Sequence, residues 1–160
     1  MNDTERIRQS FKPDKIRILL IGESAPAGGQ FFYTHSRMTR YVARAFTLAF
    51  NTPFDDDLTF LKYFQEKRCY VDDLSLSPVN HMTAKQRNKT LTDSIGHLSK
   101  RITDHNPAVI VILLKRIAKY AKKAIELSKV SCSVHILPFP GNSHQNKFIH
   151  LFSEILRTSL

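Results

Sequence analysis

Four short stretches of the chain concentrate residue types that can do chemistry. They read GESAPAGGQFFY (22–33), DDLSLSPVNHM (72–82), KRIAKYAKK (115–123) and PFPGNSHQNKF (138–148). Together they supply carboxylates, a serine, aromatic rings, histidines and cations, the groups used for proton transfer, nucleophilic attack and phosphate binding. The first stretch holds a single acid, Glu23, next to Ser24. No Gly-x-x-x-x-Gly-Lys sequence is present, which excludes a P-loop.

Each of these stretches lies at the end of an apolar run that is typical of a buried strand. The runs are IRILLIG (16–22), CYVDDL (69–74), AVIVILL (108–114) and CSVHILPF (132–139). Helical stripes separate them, such as Leu91, Ile95, Leu98 and Ile102. The alternation predicts a three-layer α/β/α fold around a four-stranded, mostly parallel sheet. Because parallel strands place their carboxyl ends together, the four stretches are expected to form one site there.

Length and composition suit one folded domain, predicted over residues 15–160 with a flexible basic arm at 1–14. The chain has 160 residues, 42% of them hydrophobic, and a net charge of +10. Such a charge favours a polyanionic partner, and the alternative is a merely soluble basic surface. No apolar run is long enough to cross a membrane, and the two cysteines, Cys69 and Cys132, suit a reducing compartment. We therefore expect a cytoplasmic monomer without membrane contact.

The first stretch resembles the Gly-Asp-Ser block of a family of small serine esterases. Ser24 would then be the nucleophile. Those enzymes also need an Asp-x-x-His on the last helix to activate the serine. The last helical segment has His144 and His150 but no aspartate, so the esterase hypothesis ranks low.

Three stretches taken together resemble the uracil-DNA glycosylase superfamily, and most closely its single-strand-selective branch. GESAPAGG, CYVDDLSLSP and LPFPGNSHQNKF match that family's motifs in order, spacing and strand placement across residues 15–148. The resemblance implies a four-stranded parallel sheet between helices. It also implies hydrolysis of the bond between a damaged base and deoxyribose, after the base is flipped into a pocket. DNA, single- or double-stranded, is the expected partner, and no cofactor or metal is expected.

The resemblance implies that Glu23 positions the attacking water, since the first loop has that role in the family. Ser24 lies near the position of the water-activating residue of other branches. The alternative is that Glu23 only accepts backbone N–H bonds in a tight loop. One ring among Phe31, Phe32 and Tyr33 is expected to stack on the base, with the other two in the core.

The second motif has Asp73 where the family has its base-reading asparagine. A carboxylate offers only acceptors, so it suits a base edge with two donors, whereas an amide suits uracil. The alternative is that Asp72 or Asp73 caps the following turn. Asp73 therefore predicts a base other than uracil.

The fourth motif has Leu137 where the family has a histidine that donates to the departing base. Leucine cannot donate a hydrogen bond. His144, at the start of the last helix, is the candidate replacement, and His135 is expected to be a core residue.

Contacts to the DNA backbone are expected from the fourth loop and from the exit of the third strand. A rigid turn that ends at a helix N-terminus binds phosphate through backbone N–H groups. A run of aspartates at 55–57 is expected to cap a helix rather than bind metal. The expected backbone-contacting residues are Pro138, Pro140, Gly141, Asn142, Ser143, Lys115 and Arg116.

The sequence thus predicts a DNA-binding, glycosylase-like protein that excises a modified base and acts weakly or not at all on uracil. Glu23, Ser24 and His144 are the candidate catalytic residues. One alternative is a catalytically silent member that binds nucleic acid or a nucleotide. The other is the serine esterase.

Overall fold

The computed structural model describes residues 1–141 and 143–160. Its sheet has four parallel strands in the order β2-β1-β3-β4. Each strand lies within a run predicted from the sequence and is one to three residues shorter, so the α/β prediction is confirmed. The strands are β1 Ile18–Gly22, β2 Cys69–Asp73, β3 Val109–Leu113 and β4 Ser133–Leu137.

Helices cover both faces of the sheet. Because parallel crossovers are right-handed, the reversal of direction after β1 puts α2 on one face and α4 and α5 on the other. Helix α2 packs against α6, and α4 packs against α5, which gives three layers. The helices are α1 Asp3–Ser10, α2 Arg37–Phe50, α3 Asp57–Glu66, α4 Ala84–His105, α5 Ala118–Ser128 and α6 Gln145–Ser159.

The core forms around the two central strands, β1 and β3, whose residues are all buried. Their continuous apolar sequences follow from having helices on both faces. Helix ends carry the caps that their sequences encode: Asp56 accepts from Thr59 N, and Thr83 exchanges hydrogen bonds with Gln86. Of the aspartates at 55–57, Asp56 caps α3 and Asp57 is its first residue, in agreement with the predicted capping role.

The N-terminal segment differs from the flexible arm that was expected. Residues 3–10 form α1, which is capped by Asn2, whose side chain accepts a hydrogen bond from Glu5 N. Its Arg8 side chain is only 2% exposed and lies against β2. A buried guanidinium must have hydrogen-bond partners. Arg8 donates to Glu5 on its own helix and to Val71 O and Asp73 far along the chain, and local sequence does not reveal the two distant contacts.

Across the described residues, no helix combines the length and the apolar character that a membrane span requires.

Candidate functional site

A cleft of about 900 Å³ lies at the carboxyl edge of the sheet. It lies over the point between β1 and β3 where the strand connections reverse direction, which is where parallel sheets bind ligands. All four sequence stretches reach it. Of the predicted site residues, the cleft is lined by Glu23, Ser24, Phe31, Phe32, Asp73, Lys115, Arg116, Pro138, Pro140, Gly141 and His144.

Backbone hydrogen bonds hold the loop that follows β1 (the first loop) against the loop that follows β2 (the second loop). Leu74 N donates to Gly22 O at 2.8 Å and Ser75 N to Glu23 O at 2.9 Å, which extends the β1–β2 pairing past the strand ends. Asn80 Oδ1 accepts from Ala27 N farther out. Glu23 is therefore attached to the sheet by its backbone.

Glu23 forms an ion pair across the cleft with Arg116. Arg116 Nη2 donates to Glu23 Oε1 at 3.0 Å, and the two side chains are 54% and 14% exposed. The other oxygen, Oε2, is buried and has no hydrogen-bond partner among the described residues. One oxygen of Glu23 is thus held in place by a cation, and the other has its acceptor capacity unused. This arrangement differs from the alternative in which the carboxylate only accepts backbone N–H bonds.

Asp73 is paired with Arg8 at the bottom of the cleft. Arg8 Nη2 donates to Asp73 Oδ2 at 2.8 Å, and the guanidinium lies 5.6 Å from the centre of the Phe31 ring. Burial raises the pKa of Asp73, and the charge of Arg8 opposes that shift. Only Oδ1, which contacts Gly22, has no hydrogen bond within the described chain. Asp73 can therefore offer one acceptor to a ligand, rather than the two that the sequence suggested.

Asp72, which precedes Asp73, points away from the cleft into a separate cationic cluster. Arg101 Nε donates to its Oδ2 at 2.8 Å, and His105 Nε2 lies 3.7 Å from the same oxygen. Burial disfavours the carboxylate, but His105 and the charge of Arg101 outweigh it and hold the pKa of Asp72 at about 2. Its Oδ1 accepts from Asp73 N. This local bond lies within β2, and the turn that follows the strand donates no hydrogen bond to the Asp72 side chain among the described residues.

The side chain of Ser24 is engaged in a hydrogen bond with the backbone of the second loop. Its Oγ accepts a hydrogen bond from Val79 N at 3.2 Å, which braces the second loop. No histidine in the described part of the chain forms a hydrogen bond with it. Ser24 lacks the oriented base that a serine nucleophile needs, so the geometry gives the esterase hypothesis no support.

The three aromatic residues of the first loop are all buried, but only Phe31 and Phe32 line the cleft. The Tyr33 hydroxyl accepts from Val71 N at 2.8 Å, and the ring stacks on Phe11. Tyr33 is a core residue, and Phe31 is the ring placed beside Arg8 and Asp73.

The fourth loop closes the opposite side of the cleft. Leu137 is buried, and its carbonyl accepts from Leu114 N at 3.1 Å. His135 is half-buried on β4 and does not line the cleft. His144 lines the cleft, exposed, as the residue before α6. Ser143 is exposed, and Asn142 lies outside the described residues.

The cleft residues that sequence reasoning missed include Arg8, Arg37, Leu114 and Phe139. Phe139 is 42% exposed between two prolines, and that Pro-Phe-Pro pattern could have marked it. Leu114 has φ 100°, a conformation that glycine adopts far more readily. Such outliers in non-glycine residues cluster at functional sites. Local sequence indicates at most the pairing of Arg8 with Glu5, three residues before it, whereas its partners at the cleft, Val71 and Asp73, are 63 and 65 residues away.

Neither the comparison with protein-family models nor that with curated proteins finds a match for this chain.

Proposed function

We propose that this protein binds DNA in the cleft and hydrolyses the N-glycosidic bond of a modified base. The observation that carries the proposal is Glu23. Glu23 lines the cleft, one oxygen of its carboxylate is held by Arg116, and the other is buried without a hydrogen-bond partner among the described residues. An oriented carboxylate of this kind positions water for attack.

The reaction requires few protein groups. Water held by Glu23 adds to C1′ of the sugar, the bond from C1′ to the base nitrogen breaks, and the base leaves with a proton. Phe31 is proposed to stack on the base, and Asp73 Oδ1 to accept a hydrogen bond from its edge. The positive charge of Arg8 beside Asp73 also favours a base on which negative charge develops.

The rim of the cleft suits a phosphate backbone. Lys115 and Arg116 begin the helical turn after β3, Arg37 begins α2, and all three side chains are exposed. Pro138, Pro140 and Gly141 lead to the N-terminus of α6, where the described N-cap residue, His144, makes no side-chain capping hydrogen bond. Backbone N–H groups at such a helix start attract anions.

The test is an excision assay with single- and double-stranded oligonucleotides that carry different modified bases, read as alkali-cleaved abasic sites. Because Leu137 removes a donor, uracil release should be about two to three powers of ten slower than with a positioned donor. Any release should favour a base whose edge presents a donor to Asp73.

Glu23→Gln should abolish excision and leave DNA binding within about twofold, since an amide cannot accept the proton of water. Glu126→Gln, an exposed carboxylate on α5, is the matched control and should leave both unchanged. Equal excision by the wild type and Glu23→Gln would refute the role of Glu23. The absence of DNA binding at low salt would refute the proposal as a whole.

The second candidate is a silent binding protein of the same fold. It is favoured by the Glu23–Arg116 pair, which occupies one carboxylate oxygen, and by the buried Leu137. Tight binding with no excision across the whole panel would establish it in place of the hydrolase.

A further inference from the structure

The two edges of the sheet are finished in different ways. Along β2 every residue is buried, and the outward backbone groups of Val71 have side-chain partners: Tyr33 Oη accepts from Val71 N, and Arg8 donates to Val71 O. Along β4 only Leu137 is buried, while Val134 and Ile136 are 39% and 38% exposed. The β2 edge is therefore capped, in the sense that side chains bond its outward backbone groups, whereas the β4 edge is open, in the sense that it is exposed.

The pairing of β4 with β3 shows which backbone groups are free to bond outward. Ser133 N donates to Ala108 O, and Leu137 O accepts from Leu114 N. In a strand both backbone groups of one residue point to the same side, and the side alternates along the chain. Ser133, His135 and Leu137 therefore face β3. The N–H and C=O groups of Val134 and Ile136 point outward, away from the sheet.

We propose that this protein forms a twofold-symmetric dimer in which β4 pairs antiparallel with β4 of a second copy. In this dimer the twofold axis passes next to His135. Val134 of each copy then lies opposite Ile136 of the other copy. In an antiparallel ladder such residues exchange both backbone hydrogen bonds. The same register therefore satisfies the outward backbone groups and pairs the exposed apolar side chains.

A second copy fits this edge because the strand is self-complementary and unprotected. Exposed edges are normally blunted by charged residues, proline or a bulge, and SVHIL contains no charged residue or proline. The β2 edge has its outward backbone groups at Val71 bonded to side chains. Pairing through β4 therefore leaves no unpaired sheet edge in the described chain, and no third copy can add to the sheet. This departs from the monomer expected from the sequence and is independent of the proposed function.

The first test is the mass in solution by sedimentation equilibrium. The wild type should have twice the chain mass of 18.4 kDa. The double variant Val134→Lys/Ile136→Lys should sediment as a monomer with an unchanged far-UV circular dichroism spectrum. Leu127→Lys, at an exposed leucine of α5, is the control and should remain dimeric. A monomeric wild type, or a dimeric double variant, would overturn the proposal.

The second test measures the register in which the two β4 strands pair. At the axis, the two copies of residue 135 form a non-hydrogen-bonded pair with Cα atoms about 4.5 Å apart, within the range of a disulfide. His135→Cys in a Cys132→Ser background should therefore form a covalent dimer on mild oxidation. Ser133→Cys in the same background faces Leu137 of the other copy and should cross-link much more slowly. Equal cross-linking of the two variants would overturn the proposed register.

Discussion

Asp72 and Asp73 are neighbours in sequence, yet their carboxyl groups have pKa values shifted in opposite directions. Asp72 faces Arg101 and His105, which stabilise its charge against the cost of burial and bring its pKa to about 2. Asp73 has Arg8 alone as a close cation, and burial dominates, so its pKa is raised. Side chains on successive strand residues point to opposite faces, which places the two carboxyl groups in different surroundings.

Asp72→Asn should reveal this difference as a pH-dependent loss of stability. A lowered pKa means that the carboxylate contributes to stability above its ordinary value of 3.8, and that the contribution disappears as the pH falls toward about 2. Near pH 6 the variant should lose on the order of 2 kcal/mol of unfolding free energy in urea. That loss should shrink steadily below pH 4.

Asp93→Asn removes an exposed ion pair with Lys89 and serves as the control. Its unfolding free energy should differ from that of the wild type by less than about 0.5 kcal/mol at both pH 6 and pH 3. A loss for Asp72→Asn that is the same at pH 6 and pH 3 would contradict the assignment of the stabilised carboxylate.

Strand ends position the site because the paired strands β1 and β2 end side by side. Gly22, the last residue of β1, is in register with Asp73, the last residue of β2. A Cβ atom at Gly22 would lie 2.5 Å from Asp73 Oδ1, much closer than atoms can approach. The glycine is required by this contact, rather than by its backbone angles.

Gly22→Ala should therefore destabilise the protein by about 1–3 kcal/mol, the usual cost of an overpacked buried site. Gly96→Ala is the matched control on α4, where no heavy atom lies within 4 Å of the added carbon. It should stabilise the protein by about 0.5–1 kcal/mol, because alanine is the better helix former. Urea unfolding measures both, and Gly22→Ala at wild-type stability would contradict the predicted clash.

The whole molecule is strongly basic, and the charge is distributed unevenly. From residue 105 onward there are eight lysines and arginines but only Glu126 and Glu154. Lys115 and Arg116 from this part of the chain line the cleft, at the edge of the sheet where ligands bind. If a polyanion binds in the cleft as proposed, this charge predicts that the binding depends on salt.

Binding of an oligonucleotide should weaken by several powers of ten between about 50 and 200 mM salt if many phosphates are contacted. Lys115→Ala should reduce the slope of log K against log salt by about 0.7 to 0.9, the value of one phosphate contact. Lys100→Ala, an exposed cation on α4 that does not line the cleft, should leave the slope unchanged. Fluorescence anisotropy at several salt concentrations measures both slopes, and a flat profile for the wild type would remove the nucleic-acid proposal.

The layered α/β architecture and the edge that carries the candidate site could be predicted from the amino-acid sequence alone. Short, nearly continuous apolar runs rich in Ile, Val and Leu favour strands covered on both faces, and the helical stripes between them favour parallel crossovers. Parallel strands then bring their carboxyl ends together, so the gathering of Glu23, Asp73, Arg116 and His144 was predictable from periodicity.

Tertiary structure alone decided which of these groups pair. Glu23 and Arg116 are 93 residues apart, and Arg8 and Asp73 are 65 apart. Such pairs depend on side-chain approach, for which local sequence carries no periodic signal. Residues 1–14, expected to be a flexible arm, contain the helix α1, which contacts β2 through Arg8. The bond from Arg8 also occupies one of the two acceptor oxygens of Asp73. The capped β2 edge and the open β4 edge were also decided there, because an edge is capped by whatever distant side chains reach its outward backbone groups.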